Sequence, residues 1–180
     1  TAAAMQQFNI SVIALLVAAF VFVEKGKSHW ATLFIVIGTL TKLYGIVGLA
    51  FFFFAKDKGR FVWSGLLWAA LLFCLPMLYS SPEYVLSQYH DWYVSLSEKN
   101  GENMDASHYN LQNLSFLGFL QRTRLFNNNL IVITIALVLF ALPYLRIGQY
   151  KHLRFRLMFL ASVSMFLCLF STGTENSTYI

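Results

Sequence analysis

The chain has 180 residues, 58% of them hydrophobic and 12% charged, with a formal net charge of +5 and a mean hydropathy of +0.60. Soluble domains run nearer about 45–50% apolar and about 25% charged, so this composition marks an integral membrane protein and excludes an ordinary soluble domain. The positive charge is no nucleic-acid footprint either, because the basic residues fall in short clusters between apolar runs rather than on one stripe.

A bilayer core needs about 20 apolar residues in a helix, and the apolar runs are taken here in chain order. The sequence opens "TAAAMQQFNI", without a basic n-region, and closes on a polar "FSTGTENSTYI"; it reads as an internal piece of a longer protein. The first expected span is 2–23. Gln7 and Asn9 stand at its start. They suit either a hydrated helix end or hydrogen bonding to a hydroxyl-rich ligand, since amides both donate and accept.

After the basic turn "EKGKSH" comes the second run, 31–55, which carries Lys42 in its middle. A lysine at the centre of a membrane helix costs about 2.5–3.5 kcal/mol, so it usually faces a cavity and pairs with an anion. If 31–55 crosses once, seven of the Lys and Arg outside the spans lie on one side and five on the other. If it turns back near "TKLYG", the split is nine against three. The positive-inside rule favours the second arrangement. That makes 31–55 a half-depth helical hairpin or broken helix, interrupted near 41–45, with Lys42 near its tip. Each arm would have about 11 residues and reach roughly 16 Å.

A third span is expected at 61–79. The segment 80–128 follows, carrying five of the eight acidic residues, and the same charge rule puts it outside the cytoplasm. Within it, Ser81-Pro82 signals a helix start. Val85, Tyr89, Trp92 and Leu96 then recur at helical spacing, as in an amphipathic helix lying at the interface. "QYHDWY" offers Asp91 with His90, Trp92 and Tyr93 as a sugar-binding group or as interfacial anchors. "KNGENMDASHYN" reads as a loop, and "NLQNLSFLGFLQR" as a second amphipathic element whose Asn113, Ser115 and Arg122 could rim an external groove. Spans at 129–145 and 157–171 complete the expected all-α, polytopic transmembrane bundle. Glu175 stands just beyond the last of them. Cys74 and Cys168 lie inside apolar runs with no partner at ligand spacing, so no metal site is expected. No phosphate-binding glycine loop, HExxH or GxSxG occurs, which argues against a nucleotide-driven pump or a membrane protease.

In order, "QQFN", the helix "ATLFIVIGTLTK", the external helix "YVLSQYHDWYVSL" and "NLSFLGFLQR" resemble the GQxN-type start, the A…G…K helix, the Y…W helix and the NxS…G…R element of polytopic GT-C class glycosyltransferases. The resemblance is closest to the mannosyltransferase-like family 87 and covers nearly the whole chain. One departure is Gln6, where the family's first motif has glycine.

The resemblance implies a hexosyltransferase that moves a sugar, most naturally mannose, from a polyprenyl-phosphate carrier to a glycan or glycolipid acceptor outside a bacterial cytoplasmic membrane. It also implies that the catalytic carboxylate belongs to an external loop upstream of this sequence. Lys42 would then meet the carrier phosphate, with Gln7, Asn9, Asn113, Ser115, Arg122, Asp91 and Glu175 as substrate-binding candidates. No cofactor is expected, and a divalent metal is left open. Two other readings use the same residues: a transporter or flippase with a midplane site, and a scaffold in which Lys42 is only an ion pair.

Overall fold

The computed structural model describes residues 9–104, 123 and 129–170, with side chains over 10–98, 123 and 131–165. It is all-helical across the described residues. Helix α1 (Asn9–Glu24) buries Val12, Leu16, Ala19, Phe20 and Val23, a stripe at three-to-four spacing. Its end is a Schellman turn. Lys27 N–H donates to Phe22 O at 2.8 Å and Gly26 N–H to Val23 O at 2.9 Å. Gly26 takes φ +69, a conformation costly for any residue with a Cβ.

Helix α2 (Ser28–Thr41) starts two residues later and stops at Lys42, whose extended backbone (φ −154, ψ 124) breaks the run. The chain then turns back as a 3₁₀ arm, Leu43–Phe54. The antiparallel pairing is read from close approaches. Gly45 lies against the Gly38 backbone, Gly48 against Ile35, and Gly26 against the Lys56 side chain at the far end.

The arms are longer than the charge count suggested. Fourteen α-helical residues reach about 21 Å, and twelve 3₁₀ residues about 24 Å at their steeper rise. With three residues per turn, the 3₁₀ arm has three faces, each occupied. Gly45, Gly48 and Phe51 are buried towards α1 and α2. Ile46, Leu49 and Phe52 face the groove shared with α3. On the third face Tyr144 Oη donates to Ala50 O at 3.2 Å, and the Phe53 and Tyr144 rings meet at 4.5 Å.

Helix α3 (Lys58–Cys74) is capped by Asp57, which accepts Arg60 N–H at 2.8 Å. It continues through a 3₁₀ turn, Leu75–Leu78. Lys58–Leu78 is, among the described residues, the one helix long and apolar enough to cross a membrane; the other apolar helices are shorter.

Helix α4 (Pro82–Met104) corrects the expected loop, because it runs on through Lys99, Asn100 and Gly101. A glycine inside a helix costs only about 1 kcal/mol, and no proline stops the run. Of the apolar face that the sequence assigns to an interfacial helix, Val85 is buried and Tyr89 and Leu96 half-buried, and Trp92 is 47% exposed. Tyr89 stacks on Phe73 with ring centroids 4.1 Å apart, and its hydroxyl donates to Phe73 O at 2.6 Å, tying α4 to α3.

Helix α5 (Asn129–Ala141) and α6 (Leu153–Phe170) follow. Phe159 of α6 packs edge-on against Phe54 and Tyr144, at 5.2 and 4.6 Å between centroids. A bidentate ion pair joins α6 to the end of α1. Arg156 Nε and Nη2 donate to the two carboxylate oxygens of Glu24, each at 2.6 Å, while Nη1 donates to Tyr150 O. Tyr150 Oη donates to Tyr144 O, and burial raises the Tyr150 pKa.

Candidate functional site

Lys42 closes α2 and opens the 3₁₀ arm, so it stands at the tip of the hairpin. Its N–H donates to Gly38 O at 2.9 Å, and its carbonyl accepts Gly45 N–H at 2.8 Å. Both of these turn hydrogen bonds are backbone bonds. The Lys42 side chain is half-buried. Its ammonium lies 5.5 Å from the centroid of the Tyr44 ring, within cation–π range.

Below the tip, α2, the 3₁₀ arm and α3 enclose a groove of about 830 Å³. Its walls are the α2 residues Ile35, Val36 and Leu40, the arm residues Ile46, Leu49 and Phe52, and α3 from Phe61 to Phe73. The lining is almost wholly apolar. Thr32 adds a hydroxyl, engaged at 2.9 Å with Ser64 Oγ in the α2–α3 contact.

That contact is satisfied in either direction. Thr32 can donate to Ser28 O while accepting from Ser64, or it can donate to Ser64 while Ser64 donates to Phe61 O. Either way a buried hydroxyl pair costs nothing in unmade hydrogen bonds. Leu40 and Ile46, at the upper rim of the groove, bracket Lys42 in the chain. Lys42 itself is not among the lining residues, and its ammonium lies over the Tyr44 ring.

The remaining candidates divide by position. Asp91 lies exposed on α4 beside exposed His90, Trp92 and Tyr93. Consecutive helical positions are about 100° apart, so these four side chains fan around the helix rather than meet at one point. Asn9 is the first residue of α1. Gln7, Asn113, Ser115, Arg122 and Glu175, and the side chain of Asn9, lie outside the described residues.

Three features had not been singled out from the sequence. The groove needs three elements at once. Thr32 and Ser64 read as ordinary small polar residues within apolar runs. Glu24, the only acid before Asp57, was the available signal for an ion pair, but its partner lies 132 residues away. Cys74, expected as a small core residue in lipid or in protein, is a free thiol exposed on the membrane-capable helix.

Residues 1–172 match the family model of Glycosyltransferase family 87. No curated protein and no solved structure matches the chain.

Proposed function

The chain belongs to glycosyltransferase family 87, a family of membrane glycosyltransferases, and from that premise we propose that it handles a polyprenyl-phosphate sugar, with Lys42 on the phosphate and the isoprenoid chain in the apolar groove. The observation that carries this reading is the hairpin itself, which sets Lys42 at its tip between Leu40 and Ile46, two residues that help line a groove of about 830 Å³ with almost no polar lining. A nucleotide-sugar donor offers nothing to such a groove. An isoprenoid chain desolvates against it, at about 25 cal/mol per Å² buried.

Depth supports the same assignment. With the basic turns at the cytoplasmic face, an arm of about 21 Å carries Lys42 past the midplane of a hydrocarbon core of about 30 Å. A lysine stem adds about 6 Å more, bringing the ammonium towards the outer headgroup level, where a lipid phosphate sits. In this arrangement α4 lies at the outer interface and the helices form a polytopic bundle.

The reaction on this reading is transfer of a hexose, most naturally mannose, to an acceptor hydroxyl on the outer side. A carboxylate takes the hydroxyl proton, the acceptor oxygen bonds to the anomeric carbon, and the bond from that carbon to the phosphate oxygen breaks. Polyprenyl phosphate leaves with the added negative charge, and the Lys42 ammonium stabilises that charge as it develops.

The test is sugar transfer by the full-length protein in membranes. Labelled polyprenyl-phosphate mannose and nucleotide-mannose are offered separately, to wild type, Lys42→Ala and Lys42→Arg. Transfer from the lipid donor alone is expected, reduced about 100-fold in Lys42→Ala, or about 2.7 kcal/mol, and partly restored in Lys42→Arg. An unchanged rate in Lys42→Ala would remove the phosphate role. Transfer from the nucleotide donor alone would remove the lipid-donor reading altogether.

A further inference from the structure

The end of the molecule opposite Lys42 collects three basic clusters that are far apart in the chain. Gly26 abuts the Lys56 side chain, so the α1–α2 turn and the turn before α3 lie together. Glu24 pairs with Arg156, and Phe54 meets Tyr150 and Phe155, which brings the 146–156 segment to the same end.

Nine Lys and Arg gather there with two acids, Glu24 and Asp57. Both acids are already engaged, by Arg156 and Arg60. Seven cations are left without a carboxylate partner among the described residues. Four are the lysines of the two turns, Lys25, Lys27, Lys56 and Lys58; the other three are on 146–154. All seven are exposed. Helices α2 and α3 both begin at this end, so their dipoles add potential of the same sign.

The apolar neighbours choose among possible anions. Leu145, Ile147 and Leu153 are 77%, 72% and 52% exposed, and they alternate with Arg146, Lys151 and Arg154. Trp30 and Trp63 are also exposed, each close in sequence to one of the lysine turns. A nucleic acid or an acidic soluble protein would leave this apolar area in water. A phospholipid covers it with acyl chain while its phosphate meets the cations.

We propose that this end is a binding surface for anionic phospholipid headgroups, centred on Lys25, Lys27, Lys56 and Lys58. The surface is separate from the Lys42 tip. It rests on the membrane character of the family and not on the identity of the sugar donor.

The experiment is thermal unfolding of the purified full-length protein in neutral detergent, with additions of phosphatidylglycerol, phosphatidylcholine, inorganic phosphate or a short DNA duplex. Phosphatidylglycerol is expected to raise the midpoint by about 3 °C or more through preferential binding to the folded state. The other additions should change it by less than half as much. The quadruple variant Lys25→Gln, Lys27→Gln, Lys56→Gln, Lys58→Gln should lose most of the phosphatidylglycerol shift, and Lys42→Ala should keep it.

Native mass spectrometry supplies a second readout, with fewer retained phosphatidylglycerol molecules expected in the quadruple variant. If that variant does not fold, the pair Lys25→Gln, Lys27→Gln should still lose part of the shift and of the retained lipid. An equal shift with phosphatidylcholine, an equal shift with phosphate or DNA, or a full shift in the lysine variants would each overturn the proposal. Loss of sugar transfer in Lys42→Ala with this shift intact would leave both assignments standing. A shift that vanished in Lys42→Ala would place the anion at the tip instead.

Discussion

The two arms of the hairpin cover nearly the same distance by different means. The α2 arm uses fourteen residues in an ordinary α-helix, and the returning arm uses twelve in 3₁₀ form. A 3₁₀ run of that length is uncommon, because its hydrogen-bond geometry is poorer. Its gain here is a narrow cross-section and an exact overlay of every third residue. Gly45 can then approach the α2 backbone, and Gly48 can receive Ile35 and Leu16. The comparison teaches that the two facing glycines of the seam, Gly38 and Gly45, are not equivalent. The α arm has room for a methyl group, and the 3₁₀ arm has none.

Single alanine substitutions would break or sharpen that contrast, each read as chemical or thermal unfolding of the full-length protein in detergent. The largest effect is expected from Gly45→Ala, whose new methyl would meet the Gly38 carbonyl carbon and the Thr39 nitrogen and lie 2.6 Å from Gly38 O. These are backbone atoms with no rotamer to yield, so the loss should be about 3 kcal/mol. A wild-type midpoint for Gly45→Ala would show that the arms do not pack this closely.

Next comes Gly48→Ala. There the methyl meets Leu16 Cδ2 at 2.8 Å and Ile35 Cγ1 at 2.9 Å, side-chain atoms that can partly move, and the cost should be about 1 kcal/mol. The smallest effect, of opposite sign, belongs to Gly38→Ala. Its nearest neighbours stand at 3.7 to 3.8 Å, and relief of glycine's backbone entropy in a helix should stabilise by up to about 1 kcal/mol. A Gly38→Ala loss as large as that of Gly45→Ala would erase the asymmetry and the account of the arms with it.

How much of this was legible in the sequence follows from what each feature depends on. A turn near Lys42 had a local signal, since one charge interrupts an apolar run and the flanking basic clusters count more favourably on one side. The winding of the second arm was written in "GIVGLAF" as a glycine, glycine, phenylalanine period of three. Over so few residues a period of three and one of 3.6 overlap, and the arm's length was accordingly underestimated. The apolar face of α4 was legible at Val85, Tyr89 and Leu96, because helical spacing alone defines it; its extension past Gly101 was not, because glycine weakens a helix without forbidding it.

At the site, Lys42 was found by its cost in an apolar environment. The groove below it was not, because no residue lining it is unusual for its own helix. The Glu24–Arg156 pair depends on a contact across most of the chain, which local pattern does not encode.

The three-faced arm also limits how such a sequence can change over time. Substitutions at Ile46, Leu49 or Phe52 alter one wall of the groove and leave the glycine seam and the Tyr144 contact untouched. Inserting or deleting one residue does something else. It rotates everything beyond it by about 120°, exchanging seam for groove and groove for the Tyr144 face in a single step. The groove face of the arm can therefore drift in its letters while the arm's count of letters stays locked, so that variation among descendants should accumulate there as spelling rather than as length.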